Sequence, residues 1–447
     1  MNFSEATQYL LSLGHETLAI KLGLRNTKLL LEQLGHPENS YRSVQIAGTN
    51  GKGSTAVFLA SICRAAGIAT GLYTSPHLVS ITERIKIDGQ DITEVNFAAY
   101  ATEVRTASEE LVALGKLEAR PTFFEQVTAI ALLAFRERRV EVAILETGLG
   151  GRLDATTAVG AGIVAITPIS LDHEEYLGHT LNEIAAEKAA IIHPHSEVVV
   201  APQTPETQRV ILERCRETGV RPVWVRKDSC ESLRDRYICR TANKVYENIQ
   251  LGLRGAHQLT NAATAITLAE MLALSGAPID KEAIREGLKS ARHPGRLELF
   301  EGHPENGEKF SVLLDGAHNA AGARALRTYL DHVKLSTNAP LTLIFGAMAD
   351  KQLDEMAATL FPVASRLILT QPHNPRSANI AELRQLAGRY APGVASELTS
   401  NSATALERAL GDDPGRAEFV CVAGSLYLVG EVRQWLSKRY GASGRFS

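Results

Sequence analysis

The chain has 447 residues, of which 45% are hydrophobic and 22% are charged, and its formal net charge is −3 at pH 7. This length suffices for two or three domains with sizeable cores, and the near-neutral charge gives no electrostatic basis for binding nucleic acid or an anionic membrane. The N-terminus is too polar for a signal peptide, no apolar run approaches the roughly 20 residues that span a bilayer, and five scattered cysteines lack metal-ligand spacing, so we expect a cytoplasmic protein.

The first informative element is a strand, a glycine-rich turn and a helix. An apolar run at 43–47 leads into the glycine-rich segment 48–55. The last two residues of this segment also begin a helical pattern at 54–66. Backbone N–H groups in such a turn and the dipole of the following helix both favour phosphate oxygens. Lys52 would neutralise the outer phosphates, so the pattern predicts ATP binding.

The turn departs from the usual P-loop in one respect. Gly53 occupies the position at which a hydroxyl would normally face Mg²⁺, and the next hydroxyls are those of Ser54 and Thr55. The metal would then take ligands from elsewhere in the chain. The alternative is a turn that only separates a strand from a helix.

The elements that follow predict an α/β domain. Several apolar runs are continuous, which is typical of strands buried on both faces of a parallel sheet, and three layers result. The region 221–253 is polar and irregular, with at most a short β element. The predicted strands are 69–73, 142–146, 163–167 and 197–201, and the predicted helices are 94–113, 123–138, 180–192, 257–275 and 280–290.

A proline and a glycine within 293–296 mark a break, and we place a domain boundary near 296. The alternation of strands and helices then restarts, which predicts a second, smaller α/β domain of the doubly wound, Rossmann-like kind. Its predicted strands lie near 310–314, 340–345, 365–369 and 418–422, with helices at 319–332, 378–390, 401–410 and 425–438.

Glu146 ends an apolar strand and precedes the glycine-rich loop 147–154. Ligands bind at the carboxyl ends of strands in open parallel sheets, and a carboxylate there suits Mg²⁺. The alternative is a solvated carboxylate at a strand end. In the same loop, Arg152 and Asp154 could equally form a structural ion pair.

Two further groups follow the next strand. His173 could complete a metal site through its imidazole, or be an ordinary loop histidine. Lys188 lies on the helix 180–192 among small apolar neighbours, so it could face inward and react with CO₂ to give an anionic carbamate. A helix-surface lysine beside Glu187 is the simpler interpretation of the same residues.

Other polar groups lie in turns and at helix starts. Ser75, in the proline-containing turn 74–78, could supply the hydroxyl that Gly53 lacks. The helix start 122–125 carries two phenylalanines, which could stack on a flat heterocycle or simply pack in the core. In the second domain, polar groups follow strands at 315–319, 345–351 and 422–427, where each could also be an ordinary turn or helix cap.

Taken together, these motifs resemble those of the folylpolyglutamate synthase and dihydrofolate synthase family, within the Mur ligase superfamily. The resemblance extends in order over nearly the whole chain, and the Gly53 variant of the P-loop is itself typical of that family. The motifs are 48–54, 74–78, 146–154, Asp172-His173 with Lys188 downstream, 257–261, 293–296, 315–319 and 423–425.

The resemblance implies a role for each motif. It implies Mg²⁺ ligands at Ser75, Glu146, His173 and a carbamylated Lys188, with two Mg²⁺ ions, and it leaves a monovalent cation open. Pterin or folate contacts would come from Thr122, Phe123, Phe124, Glu125, Leu153, Asp154 and Ala155. The implied ATP contacts are Gly48, Thr49, Asn50, Gly51, Lys52, Gly53, Ser54, Asn261, Arg296 and Asp315.

The family implies an ATP-dependent, ADP-forming ligase that joins L-glutamate to dihydropteroate or to reduced folates through an acyl phosphate. Lys52, His173, Lys188 and His318 would act in catalysis, and His318 and Ser425 are candidates for the glutamate side. We expect a monomer whose partners are small molecules. Two alternatives stay open: a cell-wall Mur-type amino-acid ligase, against which Gly53 and the Ser75 turn argue, and a P-loop ATPase switch without ligase activity.

Overall fold

The computed structural model describes residues 1–14, 23–233, 236–302, 309–337, 339–411, 419–441 and 444–447. The chain forms two compact units. The first comprises Met1–Gly252 with Leu259–Ala291, and the second comprises Leu253–Gln258 with Arg292–Ser447. The assignment of an ATP-binding domain to 1–296 and of a glutamate ligase domain to 297–447 stays a prediction.

The first unit is built on an eight-stranded sheet with the order β4-β3-β2-β5-β1-β6-β7-β8. All neighbours from β2 to β8 in that order pair in parallel, whereas β3 and β4 add antiparallel strands at one edge. The strands are β1 (Arg42–Ala47), β2 (Thr70–Tyr73), β3 (Ile85–Ile87), β4 (Gln90–Asp91), β5 (Val142–Glu146), β6 (Ile163–Ile166), β7 (Glu197–Val200) and β8 (Pro222–Trp224).

Helices cover both faces of this sheet. Ala143 and Leu145 of β5 join one core with helices α4 and α5, and α3 packs on β2, β5 and α10 in another layer. The three-layer prediction is therefore confirmed, although α1, α2, α6 and α8 were not predicted. The helices are α1 (Phe3–Ser12), α2 (Arg25–Gln33), α3 (Lys52–Ala65), α4 (Glu94–Ala113), α5 (Phe123–Glu137), α6 (Glu174–Leu177), α7 (Leu181–Ala189), α8 (Pro205–Thr218), α9 (Gln258–Leu274) and α10 (Lys281–Ser290).

The region expected to be irregular holds a separate antiparallel sheet, ordered β11-β10-β9. Its strands are β9 (Cys230–Leu233), β10 (Arg236–Arg240) and β11 (Val245–Ile249). Cys239 of β10 pairs with Cys230 of β9, and a disulfide joins them. The expectation of scattered cysteines is therefore wrong for these two, because hairpin register brings together residues that are nine positions apart.

The second unit contains a seven-stranded sheet ordered β16-β15-β14-β17-β13-β12-β18. Its first five strands are parallel, as a Rossmann-like fold requires, although β16 among them was not predicted. The strands β12 and β18 are antiparallel additions that the sequence did not predict either. The strands are β12 (Glu298–Gly302), β13 (Phe310–Leu314), β14 (Leu341–Phe345), β15 (Arg366–Leu369), β16 (Ala395–Leu398), β17 (Phe419–Ala423) and β18 (Gly444–Phe446).

Five helices accompany this second sheet, and one apolar core joins several of them to its central strands. They are α11 (Ala320–Thr337), α12 (Leu353–Leu360), α13 (Ile380–Tyr390), α14 (Ser402–Leu410) and α15 (Leu426–Tyr440). The predicted helices near 319–332, 378–390, 401–410 and 425–438 are confirmed, and α12 was missed. Across the parts of the chain with described coordinates, no helix combines the length and apolarity needed to cross a bilayer.

Candidate active site

Four neighbouring parallel strands, in the order β2-β5-β1-β6, end at one edge of the first sheet. Glu146 at the end of β5 is the register partner of Ile46 on β1, and Leu145 is the partner of Tyr73, the last residue of β2. The segments that follow these strands therefore leave the sheet side by side. This is the edge at which open parallel sheets bind ligands.

The glycine-rich turn after β1 is held by the segment after β6. The backbone N–H groups of Thr49 and Asn50 donate to the carbonyl of Pro168 at 3.1 and 3.2 Å. The Thr49 hydroxyl donates to the Ser170 carbonyl at 3.0 Å, and the Lys52 ammonium donates to the Thr49 carbonyl at 3.1 Å. The turn is thus tied to its neighbour at several points, and Lys52 lies over it.

Gly51 ends the turn and begins α3. Its φ of 88° is in the left-handed region that favours glycine, and as N-cap it has no side chain to bond the first N–H groups of the helix. A Cβ at this position would collide with the side-chain oxygen of Asn261. Asn261 is buried at the start of α9, so the structure brings this predicted ATP contact against the turn.

Ser75 and Glu146 lie together. The Ser75 N–H donates to Oε2 of Glu146 at 3.2 Å, and Glu146 is only 7% exposed. The alternative of a solvated carboxylate at a strand end is therefore wrong. A buried carboxylate beside a serine provides two of the oxygen donors that Mg²⁺ prefers.

His173 follows the segment after β6, next to Asp172. Its backbone N–H donates to Oδ1 of Asp172 at 2.9 Å, and its Nε2 lies 3.8 Å from the same oxygen. Asp172 is buried. The sequence includes Asp172 in a motif, but no role was predicted for it, because an aspartate in a loop carries no local signal of burial.

Lys188 on α7 is 4% exposed, so the surface-lysine interpretation is wrong. Burial, and then repulsion from Lys52, lower the pKa of Lys188 to about 7, while Asp172, Asp154 and Glu187 oppose the shift. The P-loop lysine and the buried lysine therefore belong to one electrostatic cluster. Since a neutral lysine amine is the form that reacts with CO₂, this environment suits a carbamate.

The ion pair considered between Arg152 and Asp154 does not form. Arg152 instead pairs with Glu187 at 2.8 Å. Asp154 is buried and accepts from the backbone N–H groups of Leu149 at 2.9 Å and Thr156 at 3.0 Å, and burial raises the pKa of its carboxyl. Asp154 therefore caps the short helical turn 155–159 and fixes the glycine-rich loop that follows Glu146.

The helix start at 122–125 is organised by a capping box. The Thr122 N–H donates to Oε2 of Glu125 at 2.7 Å, and the Glu125 N–H donates to the Thr122 hydroxyl at 3.4 Å. Phe123 is buried in the core, and the Phe124 ring centroid lies 6.1 Å from that of Tyr73. These contacts give the residues a structural role in capping the helix and packing the core. Their contacts with a pterin stay a prediction.

Arg84 is a residue that the sequence did not single out. It is 1% exposed, its Nε donates to Nδ1 of His77 at 2.8 Å, and its guanidinium lies 5.4 Å from the centroid of the Phe123 ring. Arg84 therefore supports the turn that carries Ser75 through its hydrogen bond to His77. Arg84 ends the short 3-10 helix Ile81–Arg84, where an arginine is ordinarily exposed, so only the structure identifies it.

The second unit has its own cluster after β13. Asp315 is buried and accepts from the N–H groups of Leu297 at 2.9 Å and Ala317 at 3.0 Å, and burial raises the pKa of its carboxyl although Arg296 opposes the shift. Arg296 donates to the Gly316 carbonyl at 3.2 Å. Roles for these residues in ATP binding stay predictions.

His318 and Ser425 also have local partners. Nδ1 of His318 lies 2.8 Å from the Gly316 carbonyl, which only accepts, so Nδ1 carries the hydrogen. The Ser425 hydroxyl accepts from the N–H of Leu428 at 3.0 Å and caps α15. The helix-cap alternative for Ser425 is therefore correct, and its contact with glutamate stays a prediction.

A metal ion at this site would need ligands of several different residue types. Within the ranges described, no group of three or more His, Cys, Asp or Glu side chains is arranged to hold a metal ion. Of the predicted metal ligands, only Glu146 and His173 are of these residue types. The other two are the Ser75 hydroxyl and a carbamylated Lys188. The 3.2 Å contact between Ser75 and Glu146 and the burial of Lys188 fit such a set.

Comparison with known protein families gives two adjacent matches. The Mur ligase middle domain family matches residues 46–269, and the family described as dihydrofolate synthetase, C-terminal domain, matches residues 296–436. The dihydrofolate synthase/folylpolyglutamate synthase of Bacillus subtilis (strain 168) is 35% identical over 433 residues, which is 95% of this chain and 97% of that protein.

Two solved structures extend the comparison to three dimensions. The Mycobacterium tuberculosis folylpolyglutamate synthase complexed with ADP has a TM-score of 0.85 and 31% identity, covering 97% of this chain and 98% of that one. The bifunctional folylpolyglutamate synthase/dihydrofolate synthase from Yersinia pestis, complexed with AMPPNP and a Mn ion, has a TM-score of 0.82 and 30% identity, covering 98% of both chains.

Proposed function

Because this chain belongs to the folylpolyglutamate synthase/dihydrofolate synthase family of the Mur ligase superfamily, we propose that the sheet edge described above is its centre for ATP-dependent glutamate ligation. The enzyme is an ATP-dependent, ADP-forming acid–amino-acid ligase that joins L-glutamate to folates. The observation that carries the site assignment is the cluster formed by the glycine-rich turn, Lys52 and the buried Lys188.

The proposed reaction has two steps. The carboxylate of a pteroate or folate attacks the γ-phosphate of ATP, which forms an acyl phosphate and ADP. The amine of L-glutamate then attacks the acyl carbon, an amide bond forms and phosphate leaves. Little covalent chemistry falls to the protein, so its contribution is positioning and charge neutralisation.

Each part of the turn has a defined task in this scheme. The start of α3, where Gly51 supplies no capping side chain, would direct N–H groups towards the phosphates, and Lys52 would offset the charge that grows on the transferred phosphoryl group. Asn261 lies against the turn and limits its shape. A single such contact is worth about 3–4 kcal/mol in the transition state.

A divalent metal is part of the proposal. Ser75, Glu146, His173 and a carbamylated Lys188 would hold it, and when bound it neutralises phosphate charge. Support comes from the paired Ser75 and Glu146, from the burial of Lys188, and from the Mn ion and AMPPNP bound by the Yersinia pestis relative. In more detail, we propose that the site holds two Mg²⁺ ions and that an additional monovalent cation binds.

The substrate assignment is that both dihydropteroate and reduced folates are accepted, and support comes from the Bacillus subtilis relative, whose name gives it both synthase activities. The partners are small molecules, the enzyme acts as a monomer, and we place it in the cytoplasm.

One assay tests the function directly. Purified protein is supplied with ATP, Mg²⁺ and labelled L-glutamate, and with either dihydropteroate or tetrahydrofolate. We expect label in the product with each acid, together with one ADP for each glutamate added. ADP release that is indifferent to both acids would overturn the proposal and favour an ATPase switch instead.

A further inference from the structure

Cys230 and Cys239 occupy directly opposite positions on antiparallel strands β9 and β10, and their Cα atoms are 4.1 Å apart. Their exposure differs, because Cys239 is 1% exposed whereas Cys230 is partly exposed. Cys230 is therefore the residue of the pair that is more open to a reagent in solution.

The other three cysteines contrast with this pair. Cys63, Cys215 and Cys421 are free and buried. Burial raises the pKa of the Cys63 thiol to about 12 and that of Cys215 to about 11, and it raises the pKa of Cys421 well above its ordinary value. Since the thiolate is the reactive form, these three residues are poor nucleophiles.

Contacts other than the disulfide also hold β9 and β10 in register. Arg240 donates its N–H to the Ser229 carbonyl next to the pair, and β10 pairs on its other side with β11. Tyr246 of β11 is the register partner of Cys239, and its hydroxyl donates to Glu270 of α9 at 2.8 Å. Two thiols held in register close a bond far more readily than two free ones.

We propose that Cys230 and Cys239 form a reversible thiol–disulfide modification site, in which Cys230 exchanges with small-molecule disulfides such as oxidised glutathione. Disulfides with an exposed sulfur are the labile ones, and in compartments that keep thiols reduced such bonds are typically transient or redox-sensing. This inference goes beyond the ligase activity and does not depend on it.

The chemistry balances as two exchanges. The Cys230 thiolate attacks one sulfur of oxidised glutathione, whose S–S bond breaks, and one glutathione thiolate leaves. The Cys239 thiolate then attacks the Cys230 sulfur of the mixed disulfide and expels the second glutathione thiolate. The protein loses two thiol protons and two electrons, and two glutathione thiols form. Excess reduced glutathione drives both steps in reverse.

The first test counts thiols in the full-length protein. After equilibration at fixed ratios of reduced to oxidised glutathione and denaturation in acid, we expect the free-thiol count to change between five and three. The Cys215→Ser variant is the matched control and should lose the same two thiols. Five thiols at every ratio, or a bond that persists in excess reduced glutathione under native conditions, would overturn the proposal.

The second test assigns the attacking sulfur. Cys239→Ser should accumulate one glutathione on Cys230, whereas Cys230→Ser should accumulate none on Cys239, as mass spectrometry of the peptides would show. Equal adducts in the two variants would refute the assignment. Brief treatment of the reduced wild-type chain with limiting maleimide provides the same assignment without a substitution, and modification of Cys239 ahead of Cys230 would contradict it.

Discussion

The backbone N–H of Ser75 donates to Oε2 of Glu146 at 3.2 Å, and this contact joins the turn after β2 to the end of β5. The same carboxylate is buried and is the predicted metal ligand. The two functions of Glu146, as hydrogen-bond acceptor and as negative charge, can therefore be separated by substitution.

Glu146→Gln should keep an acceptor for Ser75 while removing the charge. We expect the Mg²⁺ concentration for half-maximal ligation to rise at least about tenfold, because one charged oxygen donor is lost from a hard-cation site. Glu197→Gln is the control, since Glu197 is an exposed carboxylate at the first residue of β7. An unchanged Mg²⁺ titration for Glu146→Gln would remove Glu146 from the metal site.

Lys52→Ala should reduce kcat for glutamate ligation by about 100-fold or more, because it removes a charge that acts on the transferred phosphoryl group. Circular dichroism should be unchanged, since Lys52 is only partly buried and is not a residue of the apolar core. Lys289→Ala, a change at an exposed lysine of α10, serves as the control. Near-normal turnover by Lys52→Ala would contradict the role assigned to this lysine.

Lys188→Ala should be inactive and should regain part of its activity when formate or acetate is added, because a small carboxylate can replace the carbamate in the space that the side chain leaves. Lys52→Ala should show no such rescue. Independently of activity, ¹³C NMR of the wild-type protein in labelled bicarbonate should show a carbamate resonance that Lys188→Ala lacks. A wild-type spectrum without that resonance would leave Lys188 as an unmodified buried amine.

Gly287 of α10 lies directly against the backbone of Ile62 in α3, so an added Cβ would overlap that backbone. We expect Gly287→Ala to lower the free energy of unfolding by about 1–3 kcal/mol, as overpacking does. Gly388 of α13 is the matched control, since a Cβ there meets nothing within 4 Å. Gly388→Ala should stabilise by about 0.5–1 kcal/mol, because alanine loses less backbone entropy in a helix.

Thermal and urea unfolding of the two glycine variants measure this difference. Equal effects of the two substitutions would mean that α3 and α10 separate enough to accommodate a methyl group.

The parts of the fold that the sequence predicted are those with a strong periodic signal. The first four residues of β5 are apolar and all five of its positions are buried, and α4 spans the predicted residues 94–113. By contrast, β9 carries no fully buried residue, and β12 and β18 are short antiparallel additions. Their pairing depends on neighbours that are remote in sequence, which a local pattern cannot reveal.

For the candidate site, the sequence indicated which residues to consider but not their surroundings. Lys188 and Glu187 are adjacent, yet Lys188 is buried while Glu187 bonds Arg152 at the surface. Whether a lysine faces inward depends on which face of α7 meets the sheet. The burial of Arg84 and the capping by Asp154 are likewise tertiary features without a local signature.

The carbonyl of Pro168, which accepts from Thr49 and Asn50, bears on how the enzyme emerges during synthesis. The ribosome translates Thr49 121 codons before Ser170, whose carbonyl accepts a hydrogen bond from the Thr49 hydroxyl. A nascent chain that ends before that point would contain the residues of the glycine-rich turn without the carbonyl groups that hold the turn in shape. The turn can therefore reach its hydrogen-bonded form only after β6 and the segment that follows it have left the exit tunnel and docked.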